Sequence, residues 1–243
     1  MARRIKLGFN GSGDSNGAAV ASKASKGANT NSFTQSTSSK KPTAKSRGNA
    51  HATLHPGVTS ISCDGGDVMS LASTESLSAN GVYTIIAAWT NADYTNDTWL
   101  VSGTSNDMHW GIDAGGAGLI FKANGSKAAA AERDYRSDNT NDSTISYTFG
   151  SDVEMVAIVV DASSASITID IYNIDGDKIA TDEASGSSVT SGLAVALNID
   201  HVIGKSDGTL GLNGELLDIA IYNTVLPVNI IAGKGNKYKG HKN

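Results

Sequence analysis

From Glu215 onward the chain alternates. Leu217, Ile219 and Ile221 fall on one face, and Leu216, Asp218, Ala220 and Tyr222 on the other. A period of two is the pattern of a β-strand with one face held in a core. Asp207-Gly208 upstream signals a turn, and Pro227 downstream removes a backbone donor and ends the ladder. The same grammar recurs along much of the chain. Residues 58–63 and 67–71 read as two strands around an Asp64-Gly65-Gly66 turn. Residues 82–89 and 153–161 are apolar on both faces, as expected of strands covered from both sides. Residues 99–101, 108–113 and 119–123 follow as strands, the last two joined at Gly115-Gly116. Ile145, Tyr147 and Phe149 alternate with Ser146 and Thr148, and Ile167, Ile169 and Ile171 with Ser166, Thr168 and Asp170. Asp175-Gly176 is a hairpin turn leading into residues 178–181, and a further strand is expected at Val202.

Only two stretches read as helical. Residues 128–132 make one turn, too short to stand alone. Residues 229–238 are longer but contain Gly233 and Gly235, which weaken a helix interior. Many short strands without interleaved helices predict an all-β fold, a two-sheet antiparallel jelly-roll sandwich.

Residues 1–50 break the pattern. They have no period and few large apolar residues, Ile5, Leu7, Phe9 and Phe33. Such a composition buries too little apolar surface to offset its ordering entropy. Charge separates this segment from the rest. It carries nine Lys/Arg against Asp14 alone, while the remainder carries 10 Lys/Arg and 23 Asp/Glu, for a formal net charge of −5. A basic arm on an acidic body reads as an interaction tail. The expected organisation is an extended basic N-terminal arm over 1–56, a β-sandwich over 57–238 and a basic tail over 239–243. Ile5, Leu7 and Phe9 alternate, so the arm also has the pattern of a short strand that adds to a partner's sheet edge.

The start of the chain is basic but has no continuous apolar core of a secretory leader, and no apolar run approaches the roughly 20 residues of a membrane helix. Cys63 is the only cysteine, which rules out an internal disulfide and suits a buried thiol.

Several segments together resemble the laminin G-like domains of the concanavalin A-like lectin/glucanase superfamily. They are SISCDGGDVMSLAS, GVYTIIAAWT, HWGIDAGGAGLIFKANG, MVAIVVDASSASITIDIYNIDG and LNGELLDIAIYNTVL, in that order. The likeness covers about residues 57–238. It implies two antiparallel sheets, one of them curved. It leaves function open, because that fold carries lectins, glycosidases, adhesion modules and virion proteins.

Candidate chemistry is sparse. A retaining glycosidase needs an acid and a nucleophile about 5 Å apart. Asp152 and Glu154 would share a strand face, but Val156 follows and no third acid does; Glu215 and Asp218, three apart, would face opposite ways. Gly204-Lys205-Ser206-Asp207-Gly208 matches the nucleophile-elbow pattern, yet it lacks the strand–turn–helix setting that motif requires. Asp134, Asp138, Asn139, Asn141 and Asp142 are the densest oxygen cluster. Arg133 and Arg136 lie among them, which fits a solvated acidic loop better than a calcium site. For sugar, the candidates are Tyr94 and Trp99, which flank a polar loop, and His109 and Asp113, which would share a strand face across bare Gly111. Trp110 points the other way, into the core. With three Trp and seven Tyr, most claimed by strands, little aromatic surface is left to stack on a sugar, so any binding is expected to be weak and independent of calcium.

The leading expectation is a non-enzymatic structural or display protein of a virus particle, such as a tailed-phage capsid decoration, head-fibre or tail protein. Its arm would anchor it to other virion proteins through Arg3, Arg4, Ile5, Lys6, Leu7, Phe9, Lys40, Lys41, Lys45 and Arg47. It would stand in many copies or as a homo-oligomer on the capsid or tail surface. The alternative is a carbohydrate-binding module or adhesin that recognises cell-surface glycan. No catalytic residue, metal, cofactor or membrane contact is expected.

Overall fold

The computed structural model describes residues 3–8, 19–20, 22–24, 32–46, 59–77, 81–90, 92–96, 98–103, 108–112, 118–123, 131–136, 143–144, 149–150, 153–161, 163, 167–184, 197–204 and 211–239. These form β1 (Arg3–Gly8), β2 (Ser22–Ala24), β3 (Ser32–Thr34), β4 (Thr43–Ser46), β5 (Thr59–Asp64) and β6 (Met69–Leu77). Then come β7 (Val82–Thr90), β8 (Thr98–Ser102), β9 (Met108–Ile112), β10 (Gly118–Ala123), β11 (Ala131–Arg136) and β12 (Ser143–Thr144). The chain finishes with β13 (Glu154–Asp161), β14 (Ile167–Tyr172), β15 (Lys178–Ala184), β16 (Leu197–Val202), β17 (Asn213–Tyr222) and the helix α1 (Val228–Lys239).

The strands build the two sheets of a jelly-roll sandwich. One sheet runs β15-β14-β13-β7-β17-β5-β4, with β1 also paired to β17. The other runs β12-β11-β10-β9-β8-β16-β6-β3-β2. Pairing is antiparallel except between β11 and the two-residue β12. The Asp64-Gly65-Gly66 turn is found where expected, but the strands it joins, β5 and β6, belong to different sheets.

Between the sheets lies an apolar layer. Tyr83, Ile85, Ala87 and Trp89 of β7 enter it, as do Val156, Ile158 and Val160 of β13 and Trp110 of β9. A second apolar layer covers the other face of the first sheet. Ile86, Ala88, Met155, Ala157 and Tyr222 pack there with Ile231 and Tyr238 of α1. This explains why β7 and β13 are apolar on both faces.

The alternation of β17 is interrupted. Its pairing with β7 slips between Leu216 and Asp218, a β-bulge. Leu216, Ile219 and Ile221 therefore face the inter-sheet core, and Leu217, Ala220 and Tyr222 the outer layer. The strict alternation had Leu217 inside and Leu216 outside; the extra bulge residue exchanges them. Asp218 stays on the outer face, where the strict alternation also puts it, and the Tyr238 hydroxyl donates to it under the helix. At the bulge β17 changes partner along one edge. β5 pairs with its first half, Asn213↔Asp64 to Leu216↔Ile61, and β1 with its second, Gly8↔Asp218 to Arg3↔Tyr222.

The N-terminal segment departs most from expectation. Instead of a detached arm, its described parts are built into the sandwich. β3 pairs with β6, β4 with β5, and β1 with the chain's own β17. Phe33 is 0% exposed and Val20 and Ala44 are buried in the same core. β3 and β4 are short and polar, held by ladder hydrogen bonds and by the single anchors Phe33 and Ala44, so no apolar period announces them; β1 follows the Ile5 and Leu7 alternation, but its partner is the chain's own β17. Both sheets take strands from either side of residue 57, where the arm is expected to give way to the sandwich.

Two further corrections are local. Residues 131–132, read as the end of a helical turn, begin strand β11, paired along its length with β10. The strand expected around Ile145 and Tyr147 lies outside the described residues, while Phe149 beyond it is buried against Trp89 at 5.8 Å between ring centroids. The C-terminal helix forms as predicted despite its glycines. Gly235 packs against the β14–β15 turn so closely that a methyl would overlap the Ile174 carbonyl. Gly233 faces open space.

Candidate functional site

Sequence places Asp64, Asp93 and Asn213 far apart; β17 brings them together. The pairing Asn213↔Asp64 sets the end of β5 beside the start of β17. Gly65, at φ 86°, turns the chain there in a conformation that suits glycine. Its N–H donates to the Leu212 carbonyl at 3.1 Å, and the Gly211 N–H donates back to the Gly65 carbonyl at 3.0 Å. Gly211 has no room for a side chain, because a Cβ would stand 2.8 Å from the carbonyl oxygens of Asp67 and Ile203. The Asp64 carboxylate accepts from the Gly66 N–H at 2.9 Å, and the Asp64 N–H donates to Asp67 Oδ2 at 3.0 Å.

The β7–β8 loop supplies the opposite wall. The Asp93 N–H donates to the Asn213 carbonyl at 2.8 Å, and Asn213 Nδ2 donates to Asp93 Oδ2 at 3.2 Å. Asp93 Oδ1 accepts from the Thr95 N–H at 3.0 Å and from the Thr95 hydroxyl at 2.6 Å. Between the walls is a cleft of about 250 Å³, lined by Asp64, Asp93, Thr95, Asn96, Thr98 and Asn213 above the glycine floor.

Two carboxyl groups here are shifted in opposite directions. The Thr95 hydroxyl and N–H hold Asp93 below the usual carboxylate range. Burial pushes Asp67, beneath the turn and 4% exposed, up to about 6. Asp67 thus shapes the floor, while Asp93 faces the cleft as a fixed acceptor.

The residues singled out for sugar are arranged differently from expectation. Tyr94 lies in the same loop, but its hydroxyl accepts from Trp89 Nε1 at 2.7 Å and donates to the Gly150 carbonyl at 3.2 Å. Burial raises its phenol. Tyr94 is a post that ties the loop to the core. Trp99 is 5% exposed and offers no ring face to a ligand. His109 sits on β9 opposite Ser102 and Lys122, and its expected companion Asp113 lies outside the described residues. Gly111 between them is required by packing, since a methyl would overlap the Thr98 carbonyl.

Among the arm residues, Arg3, Arg4, Ile5, Lys6 and Leu7 form β1 on β17, Lys45 sits on β4 opposite Ser60, and Lys40 and Lys41 are half-buried. Phe9 and Arg47 lie outside the described residues. The Lys40 carbonyl accepts from the Val68 N–H at 3.2 Å, which ties that basic pair to the body.

The acids weighed as catalysts are committed elsewhere. Glu154 accepts from the Gly150 N–H at 3.0 Å, Glu215 from Ser60 at 2.9 Å and Asp218 from Tyr238. All three are buried. Asp152 and most of the acidic loop after Asp134, which itself lies in β11, are outside the described residues. Among the described residues no group of three or more His, Cys, Asp or Glu is placed to hold a metal ion, and no helix is long and apolar enough to cross a membrane.

The cleft was legible in sequence only as turns. Asp64-Gly65-Gly66 and the polar loop at 91–97 announce themselves, but their meeting depends on the register of β5 against β17.

No protein-family model matches the chain, and no curated protein does. Solved structures do. The binding domain of Paraclostridial Mosquitocidal Protein 1 is 13% identical with a TM-score of 0.54; the match covers 98% of this chain and 52% of that one. The chain therefore spans about half the length of that toxin domain. A carbohydrate-binding module of the Ruminococcus gnavus sialidase, bound to α2,3-sialyllactose, is 16% identical with a TM-score of 0.46, covering 65% of this chain and 83% of that one. A pentraxin from Limulus polyphemus is 14% identical with a TM-score of 0.42, covering 65% and 71%. At these identities the likeness is one of fold.

Proposed function

We propose that this chain is a non-enzymatic, lectin-like binding domain that takes a carbohydrate in the cleft between Asp64 and Asp93, and that it belongs with the laminin G-like jelly rolls of the concanavalin A-like superfamily. The observation that carries the reading is the set of fixed acceptors and donors on the cleft walls. Sugar hydroxyls need paired acceptors and donors held at fixed spacing. Asp93, Thr95 and Asn213 are held by one another, so they lose little freedom when a ligand binds. Gly65 and Gly211 line the same cleft.

Binding is favoured over hydrolysis by the state of Asp93. A catalytic acid needs a raised pKa, and Asp93 is shifted the other way. Asp67, whose carboxyl is strongly raised, is buried beneath the turn. No aromatic ring stands among the described residues that line the cleft, so the affinity per site is expected to be weak, about 0.1–1 mM, roughly −4 to −5.5 kcal/mol. Display in several copies would strengthen it through avidity.

The virion reading rested on an N-terminal arm anchoring the chain to other virion proteins, on the lack of a secretory leader and on a body without catalytic residues. With β1, β3 and β4 paired into the sheets, no described feature calls for it.

The test is a 15N-resolved NMR titration of the full chain with pooled oligosaccharides. Shifts should cluster at Gly65, at residues 93–96 and at Asn213, and Asn213→Ala should weaken binding at least tenfold. Shifts centred elsewhere, or none with any glycan, would overturn the proposal.

A further inference from the structure

The cleft has one electrostatic sign. Asp64 and Asp93 both line it, and its other described polar side chains, Thr95, Asn96, Thr98 and Asn213, are uncharged. No Lys, Arg or His stands among the described residues that line it. Neither carboxylate is free to swing away. Asp93 is held by Thr95 and Asn213, and Asp64 by the Gly66 N–H. The donors that would welcome an anion are already spent on these two acids: the Thr95 N–H and hydroxyl, the Asn213 amide and the Gly66 N–H all point at protein carboxylates. An incoming carboxylate would meet two fixed like charges and few open donors, and juxtaposed like charges suppress a wrong partner. An ammonium would meet two acceptors with lone pairs still available.

From this arrangement we propose that the cleft selects sugars by charge. It accepts neutral and amine-bearing sugars, the amine-bearing ones most tightly, and rejects sugars that carry a carboxylate, such as sialic and uronic acids. The inference rests on the glycan-binding reading above and deepens it. It also sets this chain apart from the carbohydrate-binding module of similar fold that is bound to sialyllactose.

The experiment uses the full chain on an array that prints each oligosaccharide in matched neutral, amine-bearing and acid-bearing forms. The best ligand set is then titrated in solution near pH 6 at low salt. The amine-bearing form should bind most tightly, and the acid-bearing form at least tenfold more weakly than the neutral one. Raising salt should weaken the amine-bearing form and leave the neutral one unchanged. Asp93→Asn, which keeps the side chain's shape, should narrow the gap between neutral and acidic forms to about threefold or less. Equal or tighter binding of the acidic form overturns the selectivity and leaves the glycan-binding reading standing. An unchanged gap in Asp93→Asn also overturns it. Failure of every form to bind removes the glycan-binding reading itself, and this inference with it.

Discussion

The sheet that holds β17 is covered on both faces, and the two covers differ. On the inner face Leu216, Ile219 and Ile221 meet the other sheet in a layer of Val, Ile, Leu, Phe and Trp. On the outer face Leu217, Ala220 and Tyr222 meet the helix α1, and polar groups are buried with them. Tyr238 donates to Asp218, and Thr84 accepts from the Leu226 N–H at 3.0 Å while donating to the Thr224 carbonyl at 2.8 Å. Sheet against sheet needs only apolar side chains of matching shape. A helix on a sheet must also satisfy the ends of the chain that lead into it, so hydrogen bonds share the interface. The inner face is therefore held by volume, and the outer face by volume, close backbone approach and specific donors.

That contrast orders the expected losses. Phe33→Ala and Ile219→Ala, both in the layer between the two sheets, should each cost about 3–5 kcal/mol in chemical denaturation. A loss below 1 kcal/mol at Phe33 would return β3 to the status of a loose arm. On the outer face, Gly235→Ala should cost about 2–3 kcal/mol, because a methyl must displace the Ile174 backbone. A neutral result there would mean that α1 does not sit on the β14–β15 turn.

At the seam between the sheets, Asp67 gives a pH test. Its folded pKa, about 6, lies above the usual carboxylate value. Between about pH 4 and 6 the folded state holds a proton that the unfolded state has released. Its contribution to stability is thus present at low pH and lost as pH rises through 6. Asp67→Asn should remove this slope, so that the variant gains roughly 2 kcal/mol on the parent between pH 4 and 7. Parallel stability profiles for the two proteins would show that the carboxyl is solvated. Tyr238→Phe should follow at about 1–2 kcal/mol, since it leaves Asp218 without that donor. The smallest effect has the opposite sign. Gly233→Ala, in open space on the same helix, should stabilise by about 0.5–1 kcal/mol in thermal unfolding.

What the sequence disclosed follows from the same physics. β7, β13 and β17 are long and apolar, and their period survives inspection. The hairpin turn at Asp175-Gly176 is fixed by local chemistry: Gly176 sits at φ 82°, and the Asn173 side chain accepts from the N–H groups of Asp175 and Asp177. The bulge was hidden because Leu216 and Leu217 are the same residue, and nothing in composition says which faces inward. β3 and β4 were hidden because backbone pairing and one buried side chain each, Phe33 and Ala44, hold them, with no stripe of apolar positions. Trp99 was misjudged for a related reason. A tryptophan beside a polar loop looks available until the loop's own tyrosine is found tying the loop down. The cleft combined both difficulties: its residues are ordinary turn formers, and only the pairing of Asp64 with Asn213 makes them neighbours.

The shared edge of β17 has a consequence for synthesis. β1, β5 and β7 all leave the ribosome before the strand that joins them, and more than a hundred residues of chain separate β7 from it. Until β17 emerges, three ladders wait unpaired, and exposed strand edges are where nascent β proteins stick to one another. Closure of the sheet is therefore a late, single event in which one strand is received by β7 on one side and by β5 and β1, end to end, on the other. A ribosome stalled before Asn213 would have made every strand of one sheet and left the other unsealed.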